Sequence, residues 1–253
     1  MSVLKTAYKQ TFIYGLATVI PRMLSFILVR LHTDKSVLQN VSDYGDVSVI
    51  FAYFVLFNVI LAYGMETAFF RFLNKESAKE KVLSTSSISL FLTSLGFLGL
   101  GLLFQQQIAD LTRINVNYIT LVVWILFLDA LVIIPFAYLR AQGKPIKYSI
   151  VKLANVIVNL GLNLFLLLYL QALAIDNSIW DSIYEANFEV SYIFIANLVA
   201  SGVTLLILLP FYFKIKYKID SELWKKMLRY ALPVLVSGIA FSINETFDRV
   251  LLE

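Results

Sequence analysis

Residues 118–139 read YITLVVWILFLDALVIIPFAYL, an apolar run in which Asp129 is the only charged residue. A hydrocarbon core about 30 Å thick requires roughly 20 apolar residues in helical conformation. The run therefore predicts a membrane-spanning helix, although its many Ile, Val, Phe and Tyr residues would favour strands in water. Inside lipid each backbone N–H and C=O group must be paired within the segment, so a helix is the expected conformation.

Apolar runs of similar length recur along the whole chain, which has 253 residues, 59% of them hydrophobic and only 15% charged. This composition excludes an ordinary water-soluble domain. We therefore predict an all-α integral membrane protein with seven spans. The predicted spans are 8–30, 46–64, 84–104, 118–139, 148–170, 190–213 and 231–249.

Lysine and arginine residues are concentrated in alternate connections between these spans. The N-terminal segment and the connections near 71–81, 140–147 and 214–229 hold most of them, whereas the acidic loop 176–189 holds none. Because basic loops stay on the cytoplasmic side, we expect the N-terminus to be cytoplasmic. These loops also explain the net charge of +4, so we do not expect nucleic-acid binding.

The chain has no cysteine and a single histidine, His32. Disulfides, thiol nucleophiles and cysteine-ligated metals are therefore excluded, and a histidine-based zinc or haem site is not expected. No histidine base stands near a candidate nucleophile, no paired carboxylates share a span, and no phosphate-binding glycine loop is visible. We expect neither a cofactor nor enzyme activity.

The first predicted span has a polar face inside the membrane, because its polar residues are three or four positions apart. A charge at the bilayer centre costs roughly 2.5–3.5 kcal/mol on insertion scales, so Arg22 needs a compensating role. Two interpretations stay open, an ion pair with Asp129 and a guanidinium that binds an anionic headgroup. The residues of this face are Thr11, Gly15, Thr18, Arg22 and Ser25.

The fifth predicted span carries a second polar stripe, in which Asn155, Asn159 and Asn163 follow one another at intervals of four. Such amides can join helices through hydrogen bonds worth about 0.6 kcal/mol each. They can also line a water-filled cavity. We favour the cavity because three aligned asparagines accompany an arginine and Asp129 within the spans.

Glu66 and Arg71 lie at the cytoplasmic end of the second predicted span. For these two residues we favour a local ion pair that fixes the helix end over contact with a ligand. Further along, residues 219–230 place Leu223 and Trp224 among lysines, which predicts an amphipathic helix in the cytoplasmic interface.

The order of several short motifs resembles the polysaccharide-biosynthesis flippases. This family belongs to the multidrug/oligosaccharidyl-lipid/polysaccharide superfamily, together with lipid II flippases and multidrug extruders. The resemblance covers essentially the whole chain, and its most specific part is Glu66-Thr67-Ala68-Phe69-Phe70-Arg71. The other motifs are Tyr14-Gly15, Pro21-Arg22, Asp43-Tyr44-Gly45, Tyr63-Gly64-Met65, Leu139-Arg140-Ala141-Gln142-Gly143-Lys144-Pro145, Leu232-Pro233 and Asp248-Arg249.

The resemblance implies export of an undecaprenyl-diphosphate-linked oligosaccharide across the bacterial cytoplasmic membrane by alternating access. The headgroup would enter a cationic cleft while the lipid tail stays in the bilayer. Arg22 and Arg249 match the basic residues expected of this cleft, and Asp248 has a structural role beside Arg249. The related drug extruders often carry an acidic residue on helix one, which is absent here, so drug or cation export is less favoured.

The resemblance also implies a domain organisation. Residues 1–213 form an N-terminal six-helix lobe, 214–230 a cytoplasmic amphipathic linker, and 231–253 the first helix of a second lobe. With about half of the expected helices, the chain is expected to be a fragment of a longer transporter, or else to assemble with a second copy. Its expected partners are the bilayer, the lipid-linked oligosaccharide and the missing lobe.

Two other classes of function are open to test. A membrane glycosyltransferase or polymerase acting on the same lipid carrier would need large extracytoplasmic loops, and the predicted loops are short. A subunit that only scaffolds other enzymes would tolerate replacement of its polar intramembrane residues.

Overall fold

The computed structural model describes residues 2–33, 37, 41–76, 79–170, 173, 184 and 188–251. Within these ranges the regular structure is entirely helical. Helix α7 continues into a single π-helical turn, Phe165–Tyr169. The helices are α1 (Ser2–His32), α2 (Val41–Ala62), α3 (Met65–Lys75), α4 (Lys79–Leu103), α5 (Gln105–Thr112), α6 (Val116–Ala141), α7 (Pro145–Leu164), α8 (Glu189–Tyr212) and α9 (Ser221–Leu251).

Seven segments of the described chain are long and apolar enough to cross a membrane, which confirms the predicted all-helical, multi-pass fold. Five of them follow the predicted runs closely, whereas the seventh begins ten residues earlier than predicted, at Ser221. The second span is longer than predicted, because it joins α2 to α3 and extends over Val47–Lys75. The protein is therefore a multi-pass membrane protein, and its spans provide the frame for the polar residues within them.

Helix α6 is the centre of the bundle. It packs most extensively against α4 and α8, and it also contacts α2, α3, α5 and α7. Ile125, Leu126, Ala130, Ile134 and Ala137 are all at most 1% exposed. A helix that is apolar on nearly every side is expected to be surrounded by other helices, and α6 occupies that position.

The first and last helices pack at different places on this centre. Helix α1 packs against α7 and leaves most of its other sides exposed, whereas α9 packs against α2, α3 and α4. The Ser149 hydroxyl of α7 lies 3.4 Å from the Ile13 carbonyl oxygen, and the Tyr14 and Tyr148 rings meet edge to face at 5.5 Å. Only one side of α1 is thus covered by the described chain.

A break between α2 and α3 interrupts the second span. Tyr63 and Gly64 have φ angles of +32° and +71°, a region that L side chains rarely adopt. A Cβ atom on Gly64 would lie 2.5 Å from the Ala231 carbonyl oxygen of α9. Glycine is therefore needed both for the backbone conformation and for the close approach of α9.

Side-chain hydrogen bonds hold α4 and α9 at this break. The Tyr63 hydroxyl lies 2.7 Å from the Ser89 hydroxyl of α4. The Trp224 indole N–H of α9 donates to the same Ser89 oxygen at 2.8 Å. Ser89 of α4 thus bonds both α9 and the break between α2 and α3, which fixes the position of α9.

The segment before α9 is bound to the first turns of α4. The Asp220 backbone N–H donates to the Thr85 hydroxyl at 3.1 Å, and the Ser84 hydroxyl donates to the Lys218 carbonyl at 2.8 Å. The Leu223 backbone N–H donates to Asp220 Oδ1 at 3.1 Å, so Asp220 caps α9 and the pKa of its carboxyl is lowered.

The predicted amphipathic segment is not separate from the seventh span. Residues 221–230 form the first turns of α9, and the helix continues through Pro233 rather than beginning there. Proline is tolerated in membrane helices because neighbouring groups satisfy the backbone that it frees. Leu223 and Met227, on the apolar face of these turns, pack into the same core as Met65 and Phe69 of α3.

Replacing Gly64 with alanine should destabilise the fold. The positive φ alone costs roughly 1–2 kcal/mol for a residue with a Cβ, and contact with Ala231 adds to this cost. We expect Gly64→Ala to lower the midpoint of thermal unfolding in detergent by several degrees. Gly202→Ala on α8 is the matched control, because no atom beyond the adjacent backbone of its own helix lies within 4 Å of its new Cβ. Equal stability of the two variants would contradict the packing described here.

Candidate functional site

A polar cavity of about 450 Å³ opens inside the membrane-spanning region, between α2, α3, α6, α7 and α8. This volume lies in the range of small-molecule binding sites. Its lining combines charged, amide, hydroxyl and aromatic side chains. The lining residues are Asn58, Glu66, Asp129, Val132, Ile133, Phe136, Arg140, Tyr148, Lys152, Asn155, Asn197, Ser201 and Thr204.

Helical periodicity brings these side chains together. On α8 the spacing of Asn197, Ser201 and Thr204 is four and then three residues, so the three share one face. Lys152 and Asn155 share a face of α7 for the same reason. The core helix α6 turns its polar positions towards these two faces, which produces a polar space at the junction of three helices.

An ion pair between Glu66 of α3 and Arg140 of α6 lies at one end of the cavity. The Arg140 guanidinium also stands 5.1 Å from the centre of the Phe70 ring and 5.8 Å from that of Tyr148. Its Nε atom is buried and has no hydrogen-bond partner among the described residues. Arg140 is therefore positioned by its carboxylate and by two aromatic rings.

The expected local pair between Glu66 and Arg71 is wrong, because Glu66 pairs with Arg140. Residues five positions apart lie about 140° apart around a helix, so these two side chains point to different neighbours. Arg71 instead places its guanidinium 4.2 Å from the centre of the Tyr230 ring, in a cation–π contact with α9.

Asp129 is held at the middle of the cavity by contacts from two helices. The Ser201 hydroxyl of α8 donates to Asp129 Oδ1 at 2.7 Å. Lys152 of α7 is close enough for its charge to act on Asp129, and its Nζ atom lies 4.6 Å from the centre of the Phe136 ring. Arg22, one of the partners considered for Asp129, is instead exposed on α1.

The ionisable side chains of this lining balance in formal charge. The two acids Glu66 and Asp129 are matched by the two bases Arg140 and Lys152. The cavity therefore has no excess of positive charge. A buried charge is tolerated in a membrane when it is paired or hydrated, and Glu66 and Arg140 are paired here.

The asparagine stripe of α7 is divided between two environments. Asn155 lines the cavity, and its amide nitrogen donates to the Thr204 hydroxyl at 2.9 Å. Further along α7, the Asn163 amide nitrogen donates to Asn159 Oδ1 at 2.7 Å, and His32 Nε2 lies 3.0 Å from Asn163 Oδ1. Because the Asn163 nitrogen is already a donor to Asn159, its oxygen accepts from His32. Asn159 and Asn163 thus belong to the junction of α7 with α1.

The polar face of α1 lies beside its contact with α7. Thr18 and Arg22 are exposed, and the Thr18 hydroxyl donates to the Tyr14 carbonyl at 3.0 Å within the helix. Neither residue is part of the cavity lining. Asp248 and Arg249 lie on α9, but their side chains fall outside the described part of the structure.

Several lining residues were not among the candidates predicted from the sequence. Arg140 and Tyr148 lie near a basic connection. A charged or aromatic side chain in such a connection does not by itself indicate a binding site. A usable signal existed in the register of α6, because Asp129, Phe136 and Arg140 fall on one face. Asn58 stands alone on α2, and nothing in its local sequence indicates a site.

The model of the family described as polysaccharide biosynthesis protein matches residues 7–253. The chain belongs to the polysaccharide biosynthesis protein family. Members of this family are generally transporters. Comparisons with curated proteins and with solved structures gave no match. Family membership and the seven candidate spans together establish a membrane protein of the polysaccharide biosynthesis family.

The Glu66–Arg140 pair can be tested by a double-mutant cycle. Glu66→Gln and Arg140→Gln should each cost about 1–3 kcal/mol of unfolding free energy, because each leaves an unpaired charge beside apolar rings. The double variant should lose less than the sum of these costs. Both side chains are about one-third exposed, so the effect should be smaller than for a fully buried pair.

The control for this cycle is the exposed pair formed by Glu80 and Lys216, whose Oε2 and Nζ atoms are 2.7 Å apart. Solvent screening should leave little coupling between these two residues. Denaturant unfolding in detergent micelles measures both cycles. Additive losses for Glu66 and Arg140 would contradict their proposed mutual stabilisation.

Proposed function

We propose that this chain is part of a flippase that moves a polyprenyl-diphosphate-linked oligosaccharide from the cytoplasmic to the outer leaflet of a bacterial cytoplasmic membrane. The observation that supports this proposal is the polar cavity inside the membrane-spanning helices. Polar and charged groups inside hydrocarbon are energetically costly. Such residues within membrane spans typically mark the pathway of a substrate or an ion. Alternating access to this cavity would carry the headgroup across while the lipid tail stays in the bilayer.

The side chains of the cavity fit a neutral sugar. A sugar hydroxyl both donates and accepts hydrogen bonds, and the amides of Asn58, Asn155 and Asn197 offer both functions. Phe136 and Tyr148, whose ring centres are 5.4 Å apart, add apolar surfaces for the C–H faces of a sugar ring. The balanced charges provide no surplus cation for a phosphate. We therefore assign the glycan to this cavity.

We assign the diphosphate to the polar face of α1, where Arg22 is exposed. A guanidinium stays charged in any surroundings and binds phosphate through two parallel hydrogen bonds. A polar face turned towards lipid would be unfavourable. We propose that this face borders a cleft whose second wall is another helical lobe, supplied by the remainder of a longer chain or by a second copy.

The same proposal orients the protein and divides it into lobes. Lys144 and Lys147 follow α6, and the segment 214–229 before and within α9 is also strongly basic. If both of these basic segments are cytoplasmic, the alternation of the spans also places the N-terminus of α1 in the cytoplasm. Residues 1–213 then form the first lobe, and α9 leads into the second.

Transport without catalysis is the proposed activity. His32 is bonded to Asn163 at the junction of α1 and α7, so this imidazole is not placed to activate a hydroxyl of the cavity. Within the described residues, no group of three or more Asp, Glu or His side chains is arranged to hold a metal ion. The geometry favours binding and release over bond breaking.

The test is an export assay in cells whose surface polysaccharide depends on the complete protein. Asn155→Ala and Asn197→Ala each remove a hydrogen-bonding partner of the sugar hydroxyls. The loss of one such hydrogen bond corresponds to about a tenfold loss of affinity for the sugar. We expect export to fall about tenfold, with lipid-linked oligosaccharide accumulating on the cytoplasmic side. Protein amount and thermal stability should stay normal.

Ser237→Ala is the control, because this exposed hydroxyl of α9 bonds only the Pro233 carbonyl in its own helix among the contacts described. Normal export by both asparagine variants would contradict the assignment of the glycan to the cavity. Arg22→Ala tests the phosphate assignment separately, since it should reduce export without altering the cavity lining.

A further inference from the structure

A second hollow lies on the outer side of the bundle, away from the polar cavity. It is an apolar groove of about 460 Å³ between α4 and α8, lined in part by Phe91, Leu131 and Leu205. Leu131 is two residues from Asp129, which places it about 200° around α6 from the cavity face. Helix α6 therefore separates the groove from the cavity, and a ligand in one does not fill the other.

The end of this groove is bordered by tyrosines and lysines. Tyr212 and Tyr217 belong to its lining, and the Tyr217 hydroxyl donates to the Tyr212 carbonyl at 3.0 Å. Lys216 and Lys218 flank Tyr217, Lys214 precedes them, and all three are exposed. The hydrogen bond from Ser84 to the Lys218 carbonyl fixes this segment at the start of α4. The backbone that carries these lysines is thus held beside the groove residue Tyr217.

One buried hydroxyl of the groove has no partner. Ser87 is 4% exposed and lines the groove, and its Oγ atom makes no hydrogen bond within the described chain. The neighbouring Ser86 behaves differently, because its hydroxyl donates to the Val82 carbonyl at 2.8 Å. A buried donor without an acceptor is unfavourable, so the groove offers a hydrogen bond to whatever occupies it.

We propose that this groove binds an anionic phospholipid of the adjacent leaflet. An acyl chain lies along Phe91 and Leu205, an ester carbonyl accepts a hydrogen bond from Ser87, and the phosphate lies near the lysines of 214–218. Charge complementarity selects an anionic headgroup, because Lys214, Lys216 and Lys218 outnumber the nearby carboxylates of Glu80, which bonds Lys216, and Asp220, which is paired with Lys81. Tyrosines are typical of the interface where a headgroup meets hydrocarbon.

The test compares binding of phosphatidylglycerol and phosphatidylcholine with identical acyl chains to the purified protein, measured by native mass spectrometry. The wild-type protein should bind phosphatidylglycerol more tightly. A basic residue near an anionic lipid increases the binding affinity by up to about fivefold. The triple variant Lys214→Gln/Lys216→Gln/Lys218→Gln should therefore lose most of the preference for phosphatidylglycerol.

The control with the same change in charge is Lys144→Gln/Lys147→Gln/Lys226→Gln, which alters exposed lysines that do not border the groove. It should keep the preference. Ser87→Ala should weaken both lipids equally, because both carry the ester carbonyl. Leu205→Trp should fill the groove and displace both lipids, and a thermal unfolding scan of each variant verifies that it is folded.

Four results would overturn the proposal. The first is equal binding of the two lipids by the wild-type protein, and the second is the same loss of preference in the two lysine variants. The third is unchanged binding in folded Leu205→Trp. Undecaprenyl phosphate added as a competitor should leave bound phosphatidylglycerol in place, and its displacement would instead assign the groove to the lipid carrier.

Discussion

An ionised side chain inside a membrane must be paired or hydrated, and this constraint determines how the helices of the protein meet. The Glu66–Arg140 pair joins α3 to the central helix α6, and the bond from Ser201 to Asp129 joins α6 to α8. Lys152 brings the charge of α7 to the same place. Because each contact connects different helices, the polar groups cluster between them and leave a cavity rather than a continuous apolar core.

The helices themselves could be predicted because the length of an apolar run is a local property of the sequence. The seven candidate spans and the family membership inferred from short motifs are both confirmed. The break at Tyr63-Gly64 and the continuity of α9 through Pro233 could not be predicted in the same way. Both depend on packing, since Gly64 lies against α9 and the first turns of α9 join the core of α3.

Periodicity identified faces but not the neighbours of those faces. The asparagines of α7 share one side of the helix, as predicted, but they meet different neighbours. Asn155 lines the cavity, whereas Asn163 bonds His32 of α1. The partner of Glu66 shows the same limit, because Arg140 is distant in sequence and Arg71 is close. The contribution of Tyr148 to the site emerged only from the arrangement of helices, whereas the register of α6 already places Arg140 on the same face as Asp129.

The central claim is that a water-accessible polar cavity exists within the membrane-spanning helices, and thiol labelling tests it most directly. The chain has no cysteine, so each introduced thiol is unique. Asn197→Cys lines the cavity, whereas Val199→Cys lies at nearly the same depth of α8 and is 42% exposed on its outer side. A membrane-impermeant maleimide, applied to the protein in inside-out or right-side-out vesicles, should label Asn197→Cys from one side and should leave Val199→Cys unlabelled. Equal labelling of the two, or none at Asn197→Cys from either side, would contradict the account.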